Sequence, residues 1–210
     1  MEIEHVLPAD IEKRSMEIID EELGEIQLEP EKIDIIKRVI HTSADFDYAR
    51  NLRFSDDAVA SALTAIRAGC TFVTDTNMAF TGISASALDK TGSVKACYMA
   101  DADVAARAKE AGTTRATICM DKASEVEGHV IVAVGNAPTA LFRLADLVAA
   151  GKIRPDLIIG VPVGFVNVIQ AKEVIMHCGA PYIVAVGRKG GSNVAAAICN
   201  ALLYKITGGA

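Results

Sequence analysis

VIVAVGNAPTAL (130–141), DLIIGVPVGFVN (156–167) and YIVAVGRKGGSN (182–193) each carry an apolar, β-branched run straight into a glycine-bearing turn. Strand, glycine turn and helix start in that order are the parts of a doubly wound α/β sheet. The strand ends and helix N-termini of such a sheet form a crevice that accepts anions. Working outward from these three stretches, the alternation predicts strands at 71–74, 94–98, 116–119, 130–134, 157–161 and 182–186. Several are apolar throughout, as expected of strands covered on both faces. Helices are expected between them at 56–68, 102–111, 138–149, 166–177 and 191–206, with Pro138 where a first-turn proline is tolerated. The expected fold is α/β: a doubly wound, mainly parallel sheet of flavodoxin-like kind, with helices on both faces and N-terminal helices added.

Those added helices are read at 9–23 and 30–42, separated by Gly24 and Pro30 and followed by an irregular loop, SADFDYARNLRFS (43–55). Ser55, with Asp56 and Asp57 behind it, reads as a helix N-cap and first turn. The expectation is one domain over 1–210, with a helical layer at 1–55 and the α/β core at 56–210. Charge is segregated in the same way. Residues 1–60 hold 16 acids and 7 bases, and the remainder is net +3, within a total of −6. An acidic chain with no basic run and no Trp argues against a nucleic-acid partner, while the mildly positive C-terminal part suits an anionic small molecule.

No apolar run approaches the roughly 20 residues needed to cross a bilayer, and the N-terminus is acidic where a signal peptide is basic. A soluble, cytoplasmic protein without a membrane partner is expected. Five cysteines (70, 97, 119, 178 and 199), odd in number and without a CxxC, argue against a disulfide framework or a zinc site. The four histidines share no short metal-ligand spacing, so no bound metal is expected.

Nucleotide binding is the first chemistry that the glycine turns suggest, yet neither GxGxxG nor GxxxxGK[ST] occurs. Cradles for carboxylates fit better, with tight turns and close packing as the plain alternative for any single glycine. The second helix places Ile33, Ile35, Ile36, Val39 and Ile40 on one side and Asp34, Arg38 and His41 on the other. His41 is either a helix C-terminal cation or, beside the polar loop carrying Tyr48, Arg50 and Arg53, an acid–base group. Ser15 falls within the apolar stripe of the first helix, where its hydroxyl either bonds back to a carbonyl one turn earlier or meets a ligand. Arg115, placed before an expected strand, and Arg188, in the last glycine turn, are candidate carboxylate holders, with solvated arginines as the alternative.

Taken together, IEKRSMEII (11–19), RVIHTSADFDYA (38–49) with LRFS (52–55), VGNAPTALFRL (134–144), GVPVGFVN (160–167) and GRKGGSNVAAA (187–197) resemble the precorrin-8X methylmutase family, also called cobalt-precorrin-8 methylmutase. The resemblance spans nearly the whole chain. It implies an isomerase of cobalamin (corrin ring) biosynthesis that moves a methyl group between adjacent macrocycle carbons, converting (cobalt-)precorrin-8 to cobyrinate or hydrogenobyrinate. It further implies a tetrapyrrole substrate, no cofactor, cobalt only as part of the substrate, and a homodimer with the site near the subunit boundary. By the same resemblance His41 is the catalytic histidine, Ser15 and Arg38 contact substrate, and Arg115 matches a family arginine near it. One departure lies in TGISAS (81–86), where some relatives carry an arginine shortly after the glycine. Two other classes remain open on the residues alone: a nucleotide- or phosphate-using transferase, and a non-catalytic corrinoid carrier.

Overall fold

In the computed structural model, which describes residues 4–209, the chain alternates short strands and helices almost to its end. After a 3-10 turn (Pro8–Asp10) come α1 (Ile11–Leu23), α2 (Ile33–Ser43), α3 (Tyr48–Asn51), β1 (Leu52–Phe54), α4 (Ala58–Ala68) and β2 (Thr71–Thr74). Next are α5 (Asn77–Gly82), α6 (Ala85–Thr91), β3 (Val94–Ala96), α7 (Ala102–Glu110), α8 (Arg115–Ala123) and β4 (Val130–Val134). The chain finishes with α9 (Pro138–Ala149), β5 (Leu157–Gly160), α10 (Val168–Met176), β6 (Tyr182–Ala185) and α11 (Ser192–Thr207).

The sheet order is β1-β6-β5-β4-β2-β3, parallel except where β1 pairs antiparallel with β6. Without β1, the five parallel strands follow the flavodoxin-like order 2-1-3-4-5, so the winding reverses between β2 and β4. Strand pleating sorts the core into two layers. Ile131 and Ala133 of β4 face the layer built from α2, α4, α6 and α11. Val130, Val132 and Val134 face α7, α8, α9 and α10. Each fully buried aliphatic side chain of this kind stabilises the fold by roughly 1.5–3 kcal/mol.

Four local expectations are corrected. Residues 116–119 are helical, within α8, and not a strand: Thr114 caps this helix by accepting from Thr117 N at 3.2 Å. Ala116, Cys119, Met120 and Ala123 then bury one helical face, a pattern that the four residues ATIC cannot reveal. Arg115 accordingly opens a helix. The expected loop 43–55 contains α3 and β1, so the helical layer contributes a strand to the sheet, and Tyr48 is buried instead of lying over a ligand. Ser55 is not the cap of α4; its hydroxyl donates to Asp57 and accepts from Tyr182 N, tying the end of β1 to β6. The unassigned stretch 77–91 forms α5 and α6, capped by Thr76 and Ser84. Among the described residues, no helix is long and apolar enough to cross a membrane.

Candidate functional site

The crevice at the winding reversal is the place where a doubly wound sheet ordinarily takes its ligand. Here it is filled from within. Asp75, fully buried at the end of β2, accepts from the backbone N–H groups of Gly135, Asn136 and Ala137 at 2.8, 2.9 and 2.8 Å. The turn between β4 and α9 is thus an anion cradle whose anion is the chain's own carboxylate. Burial pushes the Asp75 carboxyl upward, opposed by the three amide donors.

The glycine turns also close on one another. A Cβ on Gly135 would stand 2.7 Å from Ser192 Cα, and Thr76 Oγ1 meets Ser192 Oγ at 2.8 Å. Gly190, at φ +155°, leaves no room for a Cβ against the carbonyl of Val161. Beneath the last turn lies Lys172 of α10, whose ammonium donates to the carbonyls of Gly187 and Lys189. Burial pushes this ammonium down to about 8 from the ordinary 10.5. Between these values the unfolded chain holds a proton that folded Lys172 has lost, so its contribution to stability rises with pH across that window. Urea unfolding at both ends of the window is expected to show wild type gaining up to about 3 kcal/mol over Lys172→Met.

His41 lies in the last turn of α2, exposed, on a cleft of about 340 Å³. α2 also contributes Arg38 to the walls, α5 contributes Met78 and Gly82, and α11 contributes Asn193 and Asn200. The buried isoleucines of α2 pack against the core and leave the Arg38–His41 face outward, as its periodicity predicts. Arg38 donates to Glu12 of α1 at 2.6 Å, and its guanidinium lies 5.1 Å from the centre of the Tyr204 ring. It also borders a second cleft, of about 240 Å³, with Lys37 and Lys205. Those lysines pair with Asp20 and Asp34, so α1, α2 and α11 are laced together by exposed ion pairs.

The other candidates are dispersed. Ser15 donates to Ile11 O at 2.8 Å, the back-bonded arrangement, and borders a separate cleft with Arg14 and Ile18. Arg115 is exposed at the start of α8. Arg188 is exposed and stacks 5.6 Å from the centre of the Phe165 ring, bridging the second and third glycine turns. The structure therefore groups His41 with Arg38 and leaves Ser15, Arg115 and Arg188 apart from them within one chain. Sequence reasoning missed Met78, Asn193 and Asn200. Asn200 accepts from Ser84 N and donates to Gly82 O, which holds the α5–α6 corner against α11. Only Asn193 carried a signal, standing inside the last glycine stretch.

Comparison with known proteins follows the same lines. The family model for precorrin-8X methylmutase matches residues 10–205. A cobalt-precorrin-8 methylmutase of Priestia megaterium is 43% identical over 197 residues, covering 94% of this chain and 88% of that protein. One from Salmonella typhimurium is 43% identical over 205 residues, covering 95% and 96%. The crystal structure of a precorrin-8X methylmutase from Thermus thermophilus superimposes with a TM-score of 0.87 at 38% identity, covering 96% of this chain and 100% of that one.

Proposed function

This chain belongs to the precorrin-8X methylmutase family and is an isomerase of cobalamin biosynthesis, and we propose that it moves a methyl group between adjacent carbons of a tetrapyrrole with His41 as general acid. The observation that carries the role of His41 is its exposure on a cleft shared with Arg38, at the end of a helix whose other face is locked in the core. A methyl shift breaks one carbon–carbon bond and forms another, so atoms and electrons balance within the substrate. The reaction therefore calls for no redox or methyl-donor cofactor, and cobalt, where present, belongs to the substrate. His41 lends a proton to the conjugated ring, which polarises it for the shift, and recovers the proton as product forms.

Arg38 holds a peripheral carboxylate and fixes the ring against His41. Glu12 already occupies the Arg38 guanidinium, so an incoming carboxylate must share or displace it. Arg38→Ala is expected to weaken substrate binding by about tenfold or more. Glu12→Gln is expected to act in the opposite direction and lower KM. Steady-state kinetics check both; an unchanged KM in Arg38→Ala removes this residue from the site.

The proposal includes a homodimer located in the cytoplasm. Two observations support the dimer: Ser15 borders a different cleft from His41 in one chain, and Phe165 and Val166 are 83% and 77% exposed beside the glycine turns. A second copy would enlarge a cleft that is small for a macrocycle with its side arms. Turnover of excess cobalt-loaded and metal-free precorrin-8, followed by absorbance, tests the activity and separates the two substrates. A pigment that binds both ways without spectral conversion overturns it.

A further inference from the structure

Lys172 is 1% exposed, and no carboxylate among the described residues lies within ion-pair distance of it. Its ammonium instead donates to two carbonyls of the last glycine turn, Gly187 O and Lys189 O, each at 2.8 Å. Both peptide units are trans, so the N–H sharing each plane points the opposite way from its carbonyl. Those N–H groups belong to Arg188 and Gly190. Neither donates a hydrogen bond to any described residue. The flanks of the turn are held independently: Gly164 N donates to Arg188 O, Gly191 N donates to Val161 O, and Lys189 Nζ reaches Asp45 and Asp47 at 2.6 Å.

A buried cation thus draws two carbonyls inward and turns two unpaired amide donors outward, beside an exposed arginine. The amides after β4 are spent on Asp75, and Gly164 N in the turn after β5 is spent on Arg188 O. The N–H groups of Arg188 and Gly190, on either side of Lys189 and both turned away from the Lys172 ammonium, offer the donor pair of an anion-binding nest. The Lys172 charge, shielded from water and without a carboxylate partner, favours an anion seated above it.

We propose that Lys172 is a positioning residue that builds a carboxylate subsite on the 187–190 turn. The N–H groups of Arg188 and Gly190 are its donors, the Arg188 guanidinium its flank, and a peripheral acetate or propionate arm of the macrocycle its ligand. This rests on the reading of the substrate as a carboxylated tetrapyrrole. The subsite contributes to binding and not to the methyl shift, so its loss is read in affinity.

The test titrates cobyrinate and its metal-free counterpart hydrogenobyrinate into wild type, Lys172→Met, Arg188→Ala and Arg188→Pro, with melting temperatures for each and kinetics on precorrin-8. Lys172→Met is expected to bind cobyrinate about tenfold more weakly and to raise KM to match, with kcat held within about twofold. Arg188→Pro, which lacks the N–H that Arg188→Ala keeps, is expected to bind at least about fivefold more weakly than Arg188→Ala. Equal affinity in wild type and a folded Lys172→Met overturns the proposal. Equal affinity in the two Arg188 variants also overturns it, and that pair decides should Lys172→Met fail to fold. Absence of binding of both cobyrinate and hydrogenobyrinate to wild type overturns instead the tetrapyrrole reading on which the subsite rests.

Discussion

Replacing His41 with alanine is expected to lower kcat by about 10²–10⁴-fold, the range for loss of a positioned general acid. The fold is expected to survive. His41 is exposed at the end of α2, and exposed substitutions ordinarily shift stability by about 0.5 kcal/mol or less. Arg38, Met78 and the α11 wall remain in place, so KM is expected to change far less than kcat. The spectral change from precorrin-8 to product, followed in a variant whose melting temperature matches wild type, checks this. Undiminished turnover would sink the assignment of His41 and leave Arg38 to be explained as a binding group alone.

Asp75→Ala is expected to act on stability, lowering the unfolding free energy by roughly 3–5 kcal/mol. Three amide donors at the head of α9, one of them in a buried hydrogen bond and two in part-buried ones, lose their shared acceptor. Asp75→Asn is expected to be damaging too, because its amide NH₂ would face amide donors where an oxygen is needed. The turn affected packs against Gly191 and Ser192, so loosening it also disturbs the start of α11, which supplies Asn193 to the His41 cleft. Urea unfolding measures the loss. Added formate is expected to restore part of the melting temperature of Asp75→Ala, since a small carboxylate can enter the orphaned cradle. A variant within about 0.5 kcal/mol of wild type contradicts the self-filled crevice.

The fold was largely legible along the chain because its elements announce themselves locally. The runs at 130–134, 157–160 and 182–185 are buried on both faces and read as strands without any knowledge of their neighbours. Residues 116–119 misled for the opposite reason: a run as short as ATIC fits either periodicity, and the cap at Thr114 that decides for a helix lies outside the run. β1 was illegible because three residues reading LRF become a strand only through pairing with β6, more than 120 residues away. Within the candidate site, the Arg38–His41 face of α2 followed from helical spacing alone. Asp75 and Lys172 gave no signal, since an isolated acid or lysine in sequence is ordinarily taken as exposed.

By itself the sequence determined the doubly wound class, the outward face of α2, the family strings and the absence of nucleotide fingerprints. All of these are written in patterns shorter than about twenty residues. Tertiary structure alone decided what each glycine turn can do. The turn after β4 is closed to ligands because a carboxylate 60 residues upstream fills it. The turn after β6 keeps two donors free because a lysine 15 and 17 residues upstream holds its carbonyls from below. A backbone N–H is the same group in every residue, and whether it is spent or available depends on what the fold brings to its peptide plane.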